Sequence, residues 1–405
     1  MKASPRKTGL YFTHYECFGH TSRAIAVAQA VKKRSPDGDV FFIQTGAVQT
    51  RAMINRIGKV YPLPQAPTER PFLKEPAFPM QEQTEQRTRA CMDLVARENP
   101  DFFITEFFPI GNHECRHELI PSLIKMSAQG TPLWAVAGYP LLTGTDDGWR
   151  QKILRLYQQV LIFSPPQEKE FVAGLFSRPQ EKQRYLEFFD RHAAKTKFAG
   201  YLLPQSQVAL DDEDTNRPKP PAAPGACRVA VLRGGGAVYP KVIAQAIRAS
   251  DLLGKEYYVT VVAGPSTSSE EWYFFNTLMG QKKIKNLVLL RSAGDYEGLV
   301  KSSDVCVSLA SYHTSVMLLK YKKKSVLVPF EGYGRQSIRE QPARALMLQE
   351  TIGARILSID HLTADGLAAA IRETARRSQN NVSVPQEWFT GAEVLDRTLT
   401  GLFGP

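Results

Sequence analysis

A chain of 405 residues is long enough for two to three domains of about 150 residues and for at least one large core. Its 43% hydrophobic and 22% charged residues, with 28 glycines and 27 prolines, exclude a fibrous or largely disordered protein. No apolar run reaches the roughly 18 residues of a membrane-spanning helix, and the net charge of +11 favours anionic partners without choosing among phosphates, nucleic acid and acidic lipid headgroups.

Lys7 to Phe12 predicts a first strand, followed by polar residues and Gly19. Ala24, Ile25, Val27, Ala28 and Val31 then recur at helical spacing up to Lys32-Lys33-Arg34. Because His14 and Glu16 interrupt the first apolar stretch, a secretory signal is not expected and the expected location is the cytoplasm. Cys17, Cys91, Cys115, Cys227 and Cys306 are odd in number and widely spaced, which predicts reduced thiols. Further strands are predicted at Val40 to Gln44, Asp101 to Thr105, Leu133 to Ala137, Leu161 to Phe163 and Phe198 to Tyr201. Strands alternating with helical stretches predict an α/β fold with a doubly wound parallel sheet.

Asp211 to Ala226 combines acidic residues with four prolines and lacks apolar periodicity, so it reads as a linker. It separates a first domain, 1–210, from a second, 227–385, which restarts the alternation. Strands are predicted there at Arg228 to Leu232, Tyr257 to Ala263, Val288 to Leu290, Val305 to Val307 and Ser325 to Pro329. Tyr239 to Leu253 predicts a helix, and Gln386 to Phe403 a last helix, within 386–405, that returns to the first domain. The whole is two Rossmann-like halves.

In such sheets ligands bind beyond the carboxyl ends of the strands. Gly19, His20 and Arg23 follow the first strand, where His20 is either a general base or a helix cap. Glu106 ends a strand beside Phe107 and Phe108, which predicts a raised pKa and a role with the acceptor; the alternative is a salt bridge to Arg116. Arg233, Gly235 and Gly236 form a glycine turn that either binds phosphate or is a plain turn. Ser311, Tyr312, His313 and Thr314 open one helix, and Glu340 and Gln341 another, a pair of N-termini suited to a diphosphate. Glu340 and Gln341 would hold a sugar hydroxyl or cap their helix. His113, Cys115, His117 and Glu118 cluster without a zinc-binding pattern, so no metal is expected. The lysines at 320 and 322 to 324 read as a solvated surface, and nucleic acid is not expected.

The Gly19-His20-x-x-Arg23 loop, the triple glycine at 234–236, Tyr312-x-Thr314 and Glu340-Gln341-x-x-Arg344-Ala345 resemble GT-B glycosyltransferases related to the bacterial N-acetylglucosaminyltransferase that makes lipid II. Thr105-Glu106-Phe107-Phe108-Pro109-Ile110-Gly111 and Arg116-His117-Glu118-Leu119 bring the chain closer to that superfamily's bacterial "predicted glycosyltransferases". The resemblance spans nearly the whole chain. It implies that the second half binds a nucleotide-diphosphate sugar, a UDP-sugar first, through Arg233, Gly235, Gly236, Ser311, Tyr312, His313, Thr314, Glu340 and Gln341. The first half would bind an acceptor, with Gly19 and Arg23 on the acceptor side, catalysis in a cleft between the halves and His20, or Glu106 in its place, as base. No cofactor or metal is implied. Departures are Ala310-Ser311-Tyr312-His313-Thr314 for the family's G-G-Y-N-T, Met317 for a ribose-holding glutamate and Ser325 for a proline.

The expected activity is inverting, metal-independent transfer of a hexosyl or N-acetylhexosaminyl group to a hydroxyl or amine of a small-molecule, glycan or lipid-linked acceptor. A nucleotide-sugar hydrolase or epimerase, and a non-catalytic nucleotide-sugar-binding protein, are the alternatives. A peripheral membrane contact is compatible with the charge, and the sequence does not set the oligomeric state.

Overall fold

The computed structural model describes residues 6–14, 18–46, 54–64, 80–111, 113–142, 148–203, 225–234, 239–331, 340–378 and 383–403. It divides into two compact units, one of Met1–Tyr15, His20–Gln205 and Gln386–Pro405, the other of Glu16–Gly19 and Ser206–Pro385. The predicted linker, 211–226, lies almost wholly outside the described residues.

In the first unit β1 (Thr8–His14), α1 (Phe18–Arg34), β2 (Val40–Gly46), β3 (Lys59–Pro62), α2 (Met80–Glu98) and β4 (Phe102–Glu106) follow in order. Then come α3 (Arg116–Ala128), β5 (Leu133–Ala137), α4 (Gly148–Leu154), β6 (Gln159–Ile162), α5 (Glu168–Gly174), α6 (Pro179–Arg191) and β7 (Thr196–Phe198). The strands form one parallel sheet in the order β3-β2-β1-β4-β5-β6-β7. Its central strands read as continuous apolar runs because helices cover both faces. Leu10, Tyr11 and Phe12 of β1 and Phe103 and Ile104 of β4 are fully buried. Gly9 permits this packing, since a Cβ there would lie 2.6 Å from the rings of Phe103 and Phe41. Within the core, Arg87 of α2 binds Glu118 of α3 through two nitrogens, at 2.5 and 2.8 Å, and Tyr11 donates its hydroxyl to the same carboxylate.

The second unit runs β8 (Cys227–Leu232), α7 (Pro240–Leu253), β9 (Tyr257–Val262), α8 (Ser269–Lys282), β10 (Leu287–Leu290), α9 (Tyr296–Ser302) and β11 (Val305–Ser308). It continues with α10 (Tyr312–Lys320), β12 (Lys324–Leu327), α11 (Glu340–Ile352), β13 (Arg355–Ile356) and α12 (Ala364–Arg376). Its parallel sheet has the order β10-β9-β8-β11-β12-β13. Each sheet therefore reverses its winding once, between β1 and β4 and between β8 and β11, and a crevice opens at the carboxyl ends of such a pair. Both halves are Rossmann-like, as read from the alternation.

Two strands have no counterpart in the sequence reading. Both β3 and β13 are short edge strands of partly exposed residues, so neither carries a run of buried apolar side chains. The segment expected as one terminal helix is a 3-10 turn at Gln386–Phe389 followed by α13 (Gly391–Phe403). This segment packs on the first unit. The Gly391 amide donates to the Tyr201 carbonyl at 3.2 Å, Asp396 accepts from Arg34 Nε at 2.8 Å, and the Phe403 ring meets Phe102 edge-on at 5.8 Å. Gly391 has to be glycine here, because a Cβ would come within 2.6 Å of the Tyr201 carbonyl. Among the described residues, no helix is long and apolar enough to cross a membrane.

Candidate active site

The reversal point of the first sheet gathers three of the residues singled out from the sequence. β1 leads into α1, which carries His20 and Arg23, and the neighbouring β4 ends at Glu106. His20 Nδ1 lies 2.7 Å from Glu106 Oε2, while Arg23 donates Nε and Nη2 to Oε1 at 2.8 and 2.6 Å. The carboxylate is fully buried, whereas the His20 side chain keeps 17% of its surface exposed. Gly19, beside His20, is half-buried.

The T-E-x-F-P-x-G stretch has a physical reason at several positions. Thr105 Oγ1 donates to the Phe108 carbonyl at 2.6 Å, and Arg150 Nε donates to the Pro109 carbonyl at 2.9 Å, so the turn after β4 is tied at both ends. Phe107 takes a left-handed φ of +68°, a conformation a bulky side chain adopts only where its surroundings hold it. Its ring packs against Tyr139, with centroids 4.8 Å apart, and His20, 5.7 Å apart, and occupies the space a Cβ on Gly111 would need.

This geometry reverses the expected shift of Glu106. Burial alone would raise its pKa, but the charges of His20 and Arg23 and their hydrogen bonds outweigh burial and hold the carboxyl below its ordinary value. Its ion-pair partner is Arg23, not Arg116, whose Nη1 instead donates to the His113 carbonyl at 3.1 Å. A carboxyl shifted down contributes stability that is complete above the ordinary value of roughly 4.3 and is lost as pH falls through the lower folded-state value. Glu106→Gln is therefore expected to flatten the acid limb of an unfolding-versus-pH curve. An unchanged limb would show that the pair contributes nothing to acid sensitivity.

In the second unit, the reversal point brings Gly234 after β8 next to Ser311 after β11. Gly234 has φ +83°, and a Cβ on it would sit 3.2 Å from Ser311 Oγ. Ser311 Oγ donates to Thr314 Oγ1 at 3.1 Å, and Thr314 Oγ1 shares a hydrogen bond of 2.8 Å with the Tyr296 hydroxyl. Thr314, Tyr312 and Met317 are buried, and His313 is half-buried with its ring edge-on to Tyr312 at 5.5 Å. Arg344 ties these parts together: it donates to the Ala310 carbonyl at 3.0 Å and to Glu340 at 3.1 Å, and it lies 5.5 Å from the Tyr312 ring centre. Gln341 Oε1 accepts from the Phe330 amide at 2.8 Å, so the E-Q-x-x-R-A stretch anchors the loops after β11 and β12. Ala310, where the resembling family has glycine, takes φ +58°, the backbone region glycine occupies without strain.

One sequence reading changes here. Arg233 is not a cation offered to a phosphate: its side chain is buried and donates to both carboxylate oxygens of Glu271, at 2.9 and 3.3 Å. Glu271 sits in the first turn of α8, and its own amide is capped by Ser268. Gly235 and Gly236 lie outside the described residues. Conversely, the sequence reading had no place for Tyr296, Glu271 or Gly138, each of which touches a candidate residue. None stands in a motif, so only the folded neighbourhood reveals them. Among the described residues no group of three or more His, Cys, Asp and Glu side chains is arranged to hold a metal ion.

No protein-family model and no curated protein matches the chain. Solved structures do match over nearly the full length. MurG of Acinetobacter baumannii aligns at 13% identity and TM-score 0.56, covering 98% of this chain and 100% of its own. A UDP-glucose:anthocyanidin 3-O-glucosyltransferase solved with UDP aligns at 10% identity and TM-score 0.60, covering 100% and 96%. The UDP-GlcNAc 2-epimerase of Neisseria meningitidis, solved with UDP-GlcNAc, aligns at 11% identity and TM-score 0.56, covering 98% and 100%. The chain thus has the two-domain Rossmann-like fold of GT-B glycosyltransferases, shared with sugar-nucleotide epimerases.

Proposed function

We propose that the protein is a glycosyltransferase that moves a hexosyl or N-acetylhexosaminyl group from a nucleotide-diphosphate sugar, a UDP-sugar first, to an acceptor hydroxyl or amine, with inversion and without a metal ion. The reading places it in the cytoplasm. The observation that carries it is His20 held on the buried Glu106 carboxylate at the reversal point of the first sheet. A carboxylate that accepts from Nδ1–H leaves Nε2 as the basic nitrogen, the arrangement a general base requires. Nε2 takes the acceptor proton as the acceptor oxygen or nitrogen bonds to the anomeric carbon. The bond from that carbon to the phosphate oxygen breaks, and its electron pair leaves with the nucleoside diphosphate. In the second unit the N-terminus of α10, with Ser311, Tyr312, His313 and Thr314, would meet the diphosphate together with Gly235 and Gly236. Glu340 and Gln341 would stand by the nucleoside or sugar.

The test begins with binding. Among UDP, GDP, dTDP, CDP and ADP, one nucleotide at a hundred times its Kd is expected to stabilise the fold by about 2.7 kcal/mol. No stabilisation by any of them would sink the proposal. A second reading, sugar-nucleotide epimerisation, is favoured by the likeness to the Neisseria meningitidis epimerase. Product analysis in excess EDTA separates the two: transfer releases nucleoside diphosphate in step with acceptor, whereas epimerisation returns an isomeric sugar nucleotide without acceptor.

A further inference from the structure

Arg23 is only 3% exposed, so its guanidinium faces the protein interior rather than a ligand in solvent. Two of its nitrogens donate to one oxygen of Glu106, and the other oxygen meets His20. Among the described residues, the charged and titratable groups acting on Glu106 are these two, both from α1. The strand next to β4 contributes room instead of charge: β5 ends at Ala137, and a Cβ on the following Gly138 would overlap the Arg23 guanidinium.

We propose that Arg23 is a positioning residue that keeps Glu106 an anion and thereby fixes the proton of neutral His20 on Nδ1, and that Gly138 is glycine so that the guanidinium can stand there. This rests on the reading of His20 as the base. Without the guanidinium, a carboxyl buried to this depth and facing only a neutral imidazole takes up a proton, because an anion in an apolar interior without a cation is costly. A protonated carboxyl then donates to Nδ1. The imidazole must in turn carry its own proton on Nε2, where it has no lone pair left for an acceptor. Arg23 thus decides between a base and a non-base without touching substrate. The glycine after β5 acts one step further out.

The experiment reads the His20 tautomer by two-bond 1H–15N NMR on histidine-labelled protein, at a pH that leaves the imidazole neutral, with the signal assigned by its loss in His20→Ala. The native protein is expected to show Nδ1–H. Arg23→Met and Gly138→Ala are expected to show Nε2–H, and Arg23→Met should return to Nδ1–H as rising pH ionises Glu106. Arg23→Lys, which keeps the charge, should retain Nδ1–H. In the transfer assay, kcat of Arg23→Met should fall about 10²- to 10⁴-fold, the loss typical of a missing general base, with little change in KM for the donor.

Nδ1–H persisting in Arg23→Met would overturn the proposal, as would Nε2–H in Arg23→Lys, and Nδ1–H in Gly138→Ala would remove the glycine from it. Should Arg23→Met not fold, Gly138→Ala and Arg23→Lys decide, since both keep a charged side chain at position 23, displaced from Glu106 in the first and beside it in the second. The tautomer is read without any turnover. If it follows Arg23 while the native protein transfers no sugar, the transferase reading fails and this inference stands.

Discussion

His20→Ala is expected to lower kcat about 10²- to 10⁴-fold while leaving the donor Kd nearly unchanged. The split follows from what the imidazole would contact. A base meets the acceptor proton as the transition state forms, and the donor nucleotide is assigned to residues of the second unit, so ground-state donor binding does not draw on His20. Glu106→Gln supplies the comparison. An amide still offers an oxygen to Nδ1–H but removes the negative charge that stabilises the imidazolium, so its kcat should also fall, with donor affinity intact. The measurement is nucleotide binding by calorimetry beside steady-state turnover at saturating donor. Near-native turnover in His20→Ala would remove the base from this histidine. A loss of donor binding as large as the loss of turnover would mean that His20 belongs to the donor site.

Glu118→Ala is expected to destabilise the protein by about 3–5 kcal/mol, because it leaves the Arg87 guanidinium buried without its carboxylate. In a unit of roughly 200 residues each kcal/mol shifts Tm by about 2–4 °C, so the transition of the first unit should move down by roughly 6–20 °C. Tyr11 loses its acceptor in the same variant. Replacing both ends of the pair with apolar residues of similar size, as in Arg87→Met with Glu118→Met, should cost much less, since no unpaired charge is left in the core. Calorimetric scans of Arg87→Met, Glu118→Met and the double variant close a double-mutant cycle. A shift of Glu118→Ala below about 2 °C would show that water or a rearranged side chain reaches Arg87.

The candidate site was legible to different depths. Gly19, His20 and Arg23 could be singled out because a glycine and polar residues follow an apolar strand and precede a helical period, which places them at a strand's carboxyl end whatever the partner. That Glu106 is the partner of both His20 and Arg23 could not be read, because 83 residues separate Arg23 from Glu106 and the flanking phenylalanines suggested only desolvation. The same distance problem misled the reading of Arg233. Its position after β8 was correct, but Glu271, 38 residues further on, takes its charge.

The sequence by itself determined the architecture of this protein: apolar runs of strand length alternating with helical periods leave two parallel, helix-covered sheets as the way to bury them. It also determined where the loops of interest lie, since a strand's carboxyl end follows from chain direction alone. The tertiary structure alone decided what the polar groups on those loops do. Which carboxylate meets which cation follows because β1, β4 and β5 lie side by side although they begin at Thr8, Phe102 and Leu133, far apart along the chain. The sign of the Glu106 shift, the commitment of Arg233 and the need for glycine at 138 all arise from that adjacency. Burial costs and Coulomb attraction depend on distance in space, and distance along the chain says little about it.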